Sequence, residues 1–511
     1  MKTTILVILD GWGVAKPNRG NPITLQNAPH YFSWLKKFPH TQLDASGSAV
    51  GLFKNQEGNS EAGHFNLGAG RVVRQDSLYI SDSIADGTFF KNNAFSQALH
   101  HVKKYDTAVH LMGLLSNHNS AHSCPEHLYA LLDLLRIHEI KKVYLHLFTD
   151  GRDSGQHDAQ HHLKKLEEHL KHEEIATMIG RYYAMDRNKE WRRTEKAYNA
   201  MVLGKGCAVV SASEALAQAY NRGESDEFIC ATVIQKNNKP VATISDNDAV
   251  FFFNLRSDRA RQLTKAFVQS DFEKVNNGGA FKRKKVPQNI RFVAMTDFGS
   301  DLSSILTAYP GRDIKDSLTQ VLCPRKQLYI AESEKFAHIT YFFNGGYAIH
   351  FCEERRVKID SVKVQSYAEH PEMSAQLVAD FVEKSIVKGT YEFICVNFAN
   401  PDMVGHTGDR VAGAKAIIEV DRQAERLVKA VEKYGGQGII TADHGNIEEM
   451  INLKTGEIDT EHSVNPVPCI LLGEKWRSKK MRKGKLGDVA PTLLKMMNLK
   501  KPRAMTGKPL F

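Results

Sequence analysis

The chain has 511 residues, 42% hydrophobic and 25% charged, the make-up of a soluble globular protein with material for two or three domains. Its 68 basic and 58 acidic residues leave a net charge of +10, a moderate excess that suits an anionic small-molecule substrate; no aromatic interleaving accompanies the basic runs Lys282–Lys285 and Lys475–Lys485, which argues against a nucleic-acid site. The longest apolar runs are too short for a membrane helix or signal peptide, and seven scattered cysteines without a C-x-x-C pair argue against a disulfide framework, so the expected compartment is the reducing cytoplasm, with no membrane partner.

In chain order, Ile5–Leu9 is a short strand-like run that ends in Asp10-Gly11-Trp12-Gly13. Ser60 follows in Gly58-Asn59-Ser60-Glu61-Ala62-Gly63-His64, where the glycines permit a tight turn and the serine also fits a helix N-cap. Helical patterns cover His127–Arg136, His157–His169, Arg192–Met201 and Ala412–Glu432. Between them Val143–Phe148 runs into Thr149-Asp150-Gly151-Arg152-Asp153, and Val250–Phe253 into Asn254-Leu255-Arg256. Further on, Phe393–Phe398 runs into Ala399-Asn400-Pro401-Asp402, and Gly438–Thr441 into Ala442-Asp443-His444. Alternating strands and helices predict an α/β fold with mostly parallel sheets, whose ligands bind at the carboxyl ends of strands.

The polar residues at these ends divide into two kinds. Carboxylates and imidazoles gather at both ends of the chain. Asp402 and His406, four apart, join His462 as one ligand set; Asp10, Asp443, His444 and the Ser60 hydroxyl form a second. Two divalent cations about 3.5–4 Å apart would suit such a donor set, and mixed oxygen and nitrogen ligation fits manganese or zinc better than calcium, with the serine oxygen favouring manganese. Ser60 is the candidate nucleophile, activated by a metal because a free hydroxyl is weak at neutral pH. The middle of the chain carries Arg152, Arg181, Arg187, Arg256 and Arg259, guanidinium forks suited to a small, highly anionic ligand, with His122 and His127 as further contacts. The predicted organisation is a metal domain built from residues 1–76 and 304–511, with an anion-binding domain, 77–303, inserted between them. Linkers are expected near Arg74–Tyr79 and Gly299–Ser304.

These motifs, in order along almost the whole chain, resemble those of cofactor-independent (2,3-bisphosphoglycerate-independent) phosphoglycerate mutase, of the alkaline phosphatase superfamily. Besides the segments above, the resemblance covers Gly68–Val73, Gly180–Arg187, Ala331-Glu332-Ser333-Glu334-Lys335, Phe343–Gly346, Pro371–Ala375 and Ala490-Pro491-Thr492. It implies an isomerase with an alkaline-phosphatase-like metal domain and an inserted α/β transferase domain, interconverting 3-phosphoglycerate and 2-phosphoglycerate in glycolysis and gluconeogenesis. It further implies two manganese ions, no 2,3-bisphosphoglycerate, a phosphoserine at Ser60 and a monomer. Substrate contacts carry over to His122, Arg152, Asp153, Arg181, Arg187, Arg256, Arg259 and Lys335. Asp153 is the expected general acid/base, and Lys335 is expected to balance phosphoryl charge. A plain metallophosphatase or a sugar-phosphate mutase of the same superfamily is the alternative. The chain departs from the family pattern at Ala62, at Asn119-Ser120-Ala121 before His122, at Ser154-Gly155 and at Ile359–Lys363; no proposed ligand is lost.

Overall fold

The computed structural model describes residues 2–117, 120–276, 279–299, 301–302, 304–311 and 314–511. Asn119 of the altered loop, and Ser300 and Ser303 of the expected second linker, lie outside the described residues. The chain divides into two compact units, Met1–Gln75 with Arg312–Phe511, and Asp76–Gly311.

The first unit is built on an eight-stranded sheet. Its strands run in the order Glu354–Ile359, Gln327–Glu332, Phe393–Phe398, Thr4–Leu9, Gln437–Thr441, Val467–Leu472, His40–Asp44 and Gly484–Lys485. The first five are mutually parallel, and Val467–Leu472 runs antiparallel to both of its neighbours. A parallel strand covered on both faces has no polar side to show. Accordingly Thr4–Leu9 and Phe393–Phe398 are buried at every position. Helix Arg410–Lys433 begins where Asp409 accepts from the Val411 and Ala412 amides. It buries Ile417, Val420, Ala424, Leu427 and Val431, the three-and-four spacing of one helical face.

The second unit carries its own sheet in the order Leu306–Tyr309, Arg291–Thr296, Ala249–Phe252, Val109–Leu115, Val143–Thr149, Glu174–Gly180, Thr232–Lys236 and Cys207–Val209. All neighbours are parallel except Glu174–Gly180 against Thr232–Lys236. The expected helices appear as Pro125–Ile137, Ala159–Glu167 and Trp191–Leu203. Among the described residues no helix is long and apolar enough to cross a membrane.

Two details differ from the sequence reading. Ser60 is the first residue of helix Ser60–Ala69 rather than its cap; Asn59 is the cap, its side chain accepting from the Ala62 amide. Cys323 and Cys352 are joined as a disulfide, which their separation of 29 residues does not signal, because only the tertiary fold brings them to a Cα distance of 5.6 Å.

An ion pair within the second unit sets an acid limit on stability. Arg136 Nε donates to Glu173 Oε1 at 2.7 Å and Nη2 to Oε2 at 3.0 Å, while the Lys171 amide donates to Oε2 at 2.7 Å. Burial opposes the charge, yet Arg136 and the backbone amides hold the Glu173 carboxyl down to about 2. A carboxyl depressed on folding stabilises the protein above its unfolded value of about 4.3, and that contribution fades as pH falls toward the folded value. In acid-side melting curves from about pH 5 to about pH 2, Glu173→Gln is therefore expected to lose less stability than the parent chain; equal slopes would exclude this role.

Candidate functional site

Four neighbouring parallel strands of the first unit deliver chemistry at their carboxyl ends. Gln327–Glu332 is followed by Lys335, Phe393–Phe398 by Asp402, Thr4–Leu9 by Asp10, and Gln437–Thr441 by Asp443 and His444. Asp402 lies in the short helix Asn400–Gly405, and His406 closes that helix one turn later. The backbones approach closely. A Cβ on Gly63 would stand 2.5 Å from the Asp443 carbonyl oxygen, and one on Gly11, at φ +72°, would stand 2.8 Å from the Asp402 Cα. Both positions therefore call for glycine.

Ser60 Oγ lies 2.9 Å from His444 Nε2, 3.4 Å from Asp10 Oδ1 and 2.8 Å from the Lys335 ammonium. Lys335 Nζ also reaches Asp10 Oδ1 at 2.6 Å and Asp402 Oδ2 at 2.5 Å. Asp402 Oδ1 lies 3.2 Å from His462 Nε2 and 3.4 Å from His406 Nε2, and those two ring nitrogens are 3.1 Å apart. His444 Nε2 stands 3.8 Å from Asp402 Oδ1 and 3.5 Å from Asp443 Oδ2, so it can serve either ligand set. The compact donor groups are Asp10, Asp443 and His444, and Asp402, His444 and His462. His406 adjoins the second group.

These residues fit divalent cations. His406 Nδ1 donates to the Thr460 carbonyl at 2.7 Å and His444 Nδ1 to the Gly445 carbonyl at 3.2 Å, so in each ring Nε2 is the inward atom that a cation would take in place of a second proton. Asp443 Oδ2 is buried and accepts no hydrogen bond. Its neighbour His64 Nδ1, at 3.2 Å, directs its proton to the Ser60 carbonyl at 2.8 Å. Asp10, Asp402 and Asp443 are each at most 2% exposed. Burial works against charge on His444, but Asp443, Asp10 and Asp402 raise its pKa to about 9; at His462 burial and then His444 lower it to about 4. Three buried carboxylates thus draw in whatever positive charge is at hand, the Lys335 ammonium included.

Three further residues hold this arrangement and were assigned no role from the sequence. Asn397 Nδ2 donates to Asp10 Oδ2 at 2.6 Å and to His64 Nε2 at 3.1 Å, linking a carboxylate to the helix that bears Ser60. An asparagine inside an otherwise apolar buried strand was the available signal. His64 lies on that helix, four residues after Ser60. Glu448, fully buried, accepts from the Gly13 and Asn446 amides at 2.9 Å, from Asn465 at 3.0 Å and from Ser463, joining the Asp10 and His444 loops.

The second unit repeats the pattern with basic groups. Its adjacent parallel strands are followed by His122, by Arg152 and Asp153, by Arg181 and Arg187, and by Arg256 and Arg259. Arg181, 2% exposed, pairs with Asp150 Oδ1 at 2.5 Å and Asp153 Oδ1 at 3.1 Å. Asp150, unassigned from sequence, also accepts from the Arg152 and Asp153 amides and from Ser116. Ser120 Oγ donates to Asp153 Oδ2 at 2.8 Å. Asp258 accepts from Arg187 at 2.8 Å and lies 3.4 Å from Arg256 Nε. Burial, then Arg181, Arg187 and Arg152, push Arg259 down to about 10, and burial, then Arg256 and Arg181, push His122 to about 3. Arg259 thus lies among other guanidinium groups near a neutral imidazole, while Arg152, Arg181, Arg187 and Arg256 each have a carboxylate partner. His127, at the start of helix Pro125–Ile137, has Nε2 2.9 Å from Ser81 Oγ.

Comparison with known proteins agrees across the whole chain. The family described as "BPG-independent PGAM N-terminus" matches residues 80–300. The 2,3-bisphosphoglycerate-independent phosphoglycerate mutase of Clostridium acetobutylicum is 45% identical over 515 residues, covering 100% of this chain and 99% of that protein. Mutase 1 of the same kind from Methanosarcina acetivorans is 47% identical over 514 residues, covering 99% and 98%. Among solved structures, a Leishmania mexicana phosphoglycerate mutase crystallised at low cobalt concentration superposes with a TM-score of 0.84 at 28% identity, covering 100% of this chain and 98% of that one.

Proposed function

Because the chain belongs to the family of 2,3-bisphosphoglycerate-independent phosphoglycerate mutases, we propose that Ser60 carries the phosphoryl group in this isomerase. The enzyme interconverts 3-phosphoglycerate and 2-phosphoglycerate without 2,3-bisphosphoglycerate. The observation that carries the Ser60 assignment is the hydroxyl's position, 2.8 Å from the Lys335 ammonium and 2.9 Å from His444 Nε2 beside three buried carboxylates.

Asp402, His406 and His462 would hold one manganese ion, and Asp10, Ser60, Asp443 and His444 the other. Bound divalent cations lower the pKa of a coordinated oxygen and neutralise charge on phosphoryl oxygens. Lys335 holds the serine oxygen in place for in-line attack and pairs with the oxygens of the transferring group. Arg152, Arg181, Arg187, Arg256 and Arg259 bind the carboxylate and phosphate of the substrate, with neutral His122 as a hydrogen-bonding partner. Asp153, fixed by Arg181 and Ser120, exchanges the proton of the glycerate hydroxyl. The nucleophile lies in the first unit and the anion-binding groups in the second. A monomeric, cytoplasmic enzyme accompanies this reading, resting on the glycolytic reaction.

The test is an assay with 3-phosphoglycerate and manganese but no bisphosphoglycerate. Formation of 2-phosphoglycerate without inorganic phosphate is expected; release of phosphate alone would make the protein a phosphatase. Asn397 gives a test of the metal assignment that does not depend on turnover. Asn397→Leu is expected to weaken manganese binding by about 10–100-fold in calorimetric titration, the usual cost of losing a group that orients a ligand. Unchanged affinity would remove Asn397 from the metal's support.

A further inference from the structure

The second unit carries two sulfurs that the chemistry above does not use. Cys207 opens the edge strand Cys207–Val209 and is exposed, and Cys230, half-buried, precedes Thr232–Lys236. Parallel pairing sets Cys207 opposite Thr232, and the Cys207 amide donates to the Ala231 carbonyl at 2.9 Å. This register puts the two sulfurs side by side, with Sγ–Sγ 2.6 Å. That is inside non-bonded contact and outside the disulfide bond length of about 2.05 Å. Arg222 Nη2 donates to Cys230 Sγ at 3.4 Å, while the same guanidinium pairs with Glu224, whose Oε2 accepts from the Cys230 amide at 3.2 Å, so an ion pair borders that sulfur. The other free cysteines, Cys124, Cys395 and Cys469, are all buried.

We propose that Cys207 and Cys230 form an oxidation site that closes to an intramolecular disulfide on meeting a low-molecular-weight disulfide. One thiolate attacks the small disulfide, forming a mixed disulfide and releasing one small thiol; the neighbouring thiolate then attacks the protein sulfur of that bond and releases the second. Two protein thiols are oxidised and one small disulfide is reduced to two thiols, with both protein protons accounted for on them. Burial and the contact with Cys230 push the Cys207 thiol up to about 11, so little thiolate is present at neutral pH and the exchange is faster in alkaline solution. The bond would fasten the edge strand to the segment behind the arginine cluster, where the Ile229 carbonyl accepts from the Gly180 amide at 2.8 Å and the Asp226 carbonyl from Thr149 Oγ1 at 2.7 Å.

The experiment treats the reduced, full-length protein with oxidised glutathione, alkylates remaining thiols and maps peptides without reductant. The expected product links the Cys207 peptide to the Cys230 peptide and separates with dithiothreitol. In Cys207→Ser, which keeps the mutase rate and so reports an intact fold, the same treatment is expected to leave glutathione on Cys230. Recovery of both cysteines alkylated, or of separate glutathione adducts on each in the parent protein, would overturn the proposal.

Discussion

Replacing Ser60 with alanine is expected to lower the mutase rate by on the order of 10⁴–10⁶-fold, the scale on which loss of a covalent nucleophile acts. The substitution removes one oxygen at the start of a helix whose cap is Asn59, so helix and fold should survive. The carboxylates and imidazoles remain, so manganese should still bind, less tightly by one ligand. The phenotype is thus specific: a folded, metal-binding protein that does not turn over. An active Ser60→Ala variant would remove the phosphoserine from the mechanism.

The second large effect is expected at Lys335. The residue is 3% exposed, and its ammonium lies within 2.6 Å of both Asp10 and Asp402. Burial alone would strip its proton, but those two carboxylates and Asp443 keep it charged throughout the working range. Lys335→Met keeps the length of the side chain and removes the charge. A loss of about 10²–10³-fold in kcat is expected, as for other donors aimed at developing charge. Stability separates this role from simple packing. Under chelation the variant leaves buried carboxylates without their cation, a loss of roughly 3–5 kcal/mol. With saturating manganese the deficit should shrink, because bound cations replace the missing charge. Equal destabilisation in denaturant titrations with chelator and with manganese would show that Lys335 does not share the carboxylates with a metal.

Much of this was legible in the sequence because the strands that lead into the site residues are parallel to one another and largely buried. Such strands are continuous apolar runs, and the polar residue ending each run falls where ligands bind; Asp10, Asp402, Asp443 and Arg256 were found in this way. What escaped notice was support rather than chemistry. Asn397 lies inside a strand, Asp150 within a motif whose next residues drew attention, and Glu448 beyond His444 among acidic residues that look solvated. Their roles depend on which backbone amides and side chains the fold brings to them, a tertiary property with no sequence period. The cap at Asn59 rather than Ser60 turns on a single residue of helix start, where local spacing is ambiguous. The Cys323–Cys352 and Cys207–Cys230 pairs were equally hidden, since strand register and chain return determine them.

The most direct measurement is rapid acid quenching of the manganese-loaded enzyme with 3-phosphoglycerate labelled in its phosphate, followed by peptide mapping. Label on the peptide bearing Ser60, appearing within one turnover and passing to 2-phosphoglycerate, is the predicted result. Product forming with no label on that peptide, or label on another residue, would contradict the account.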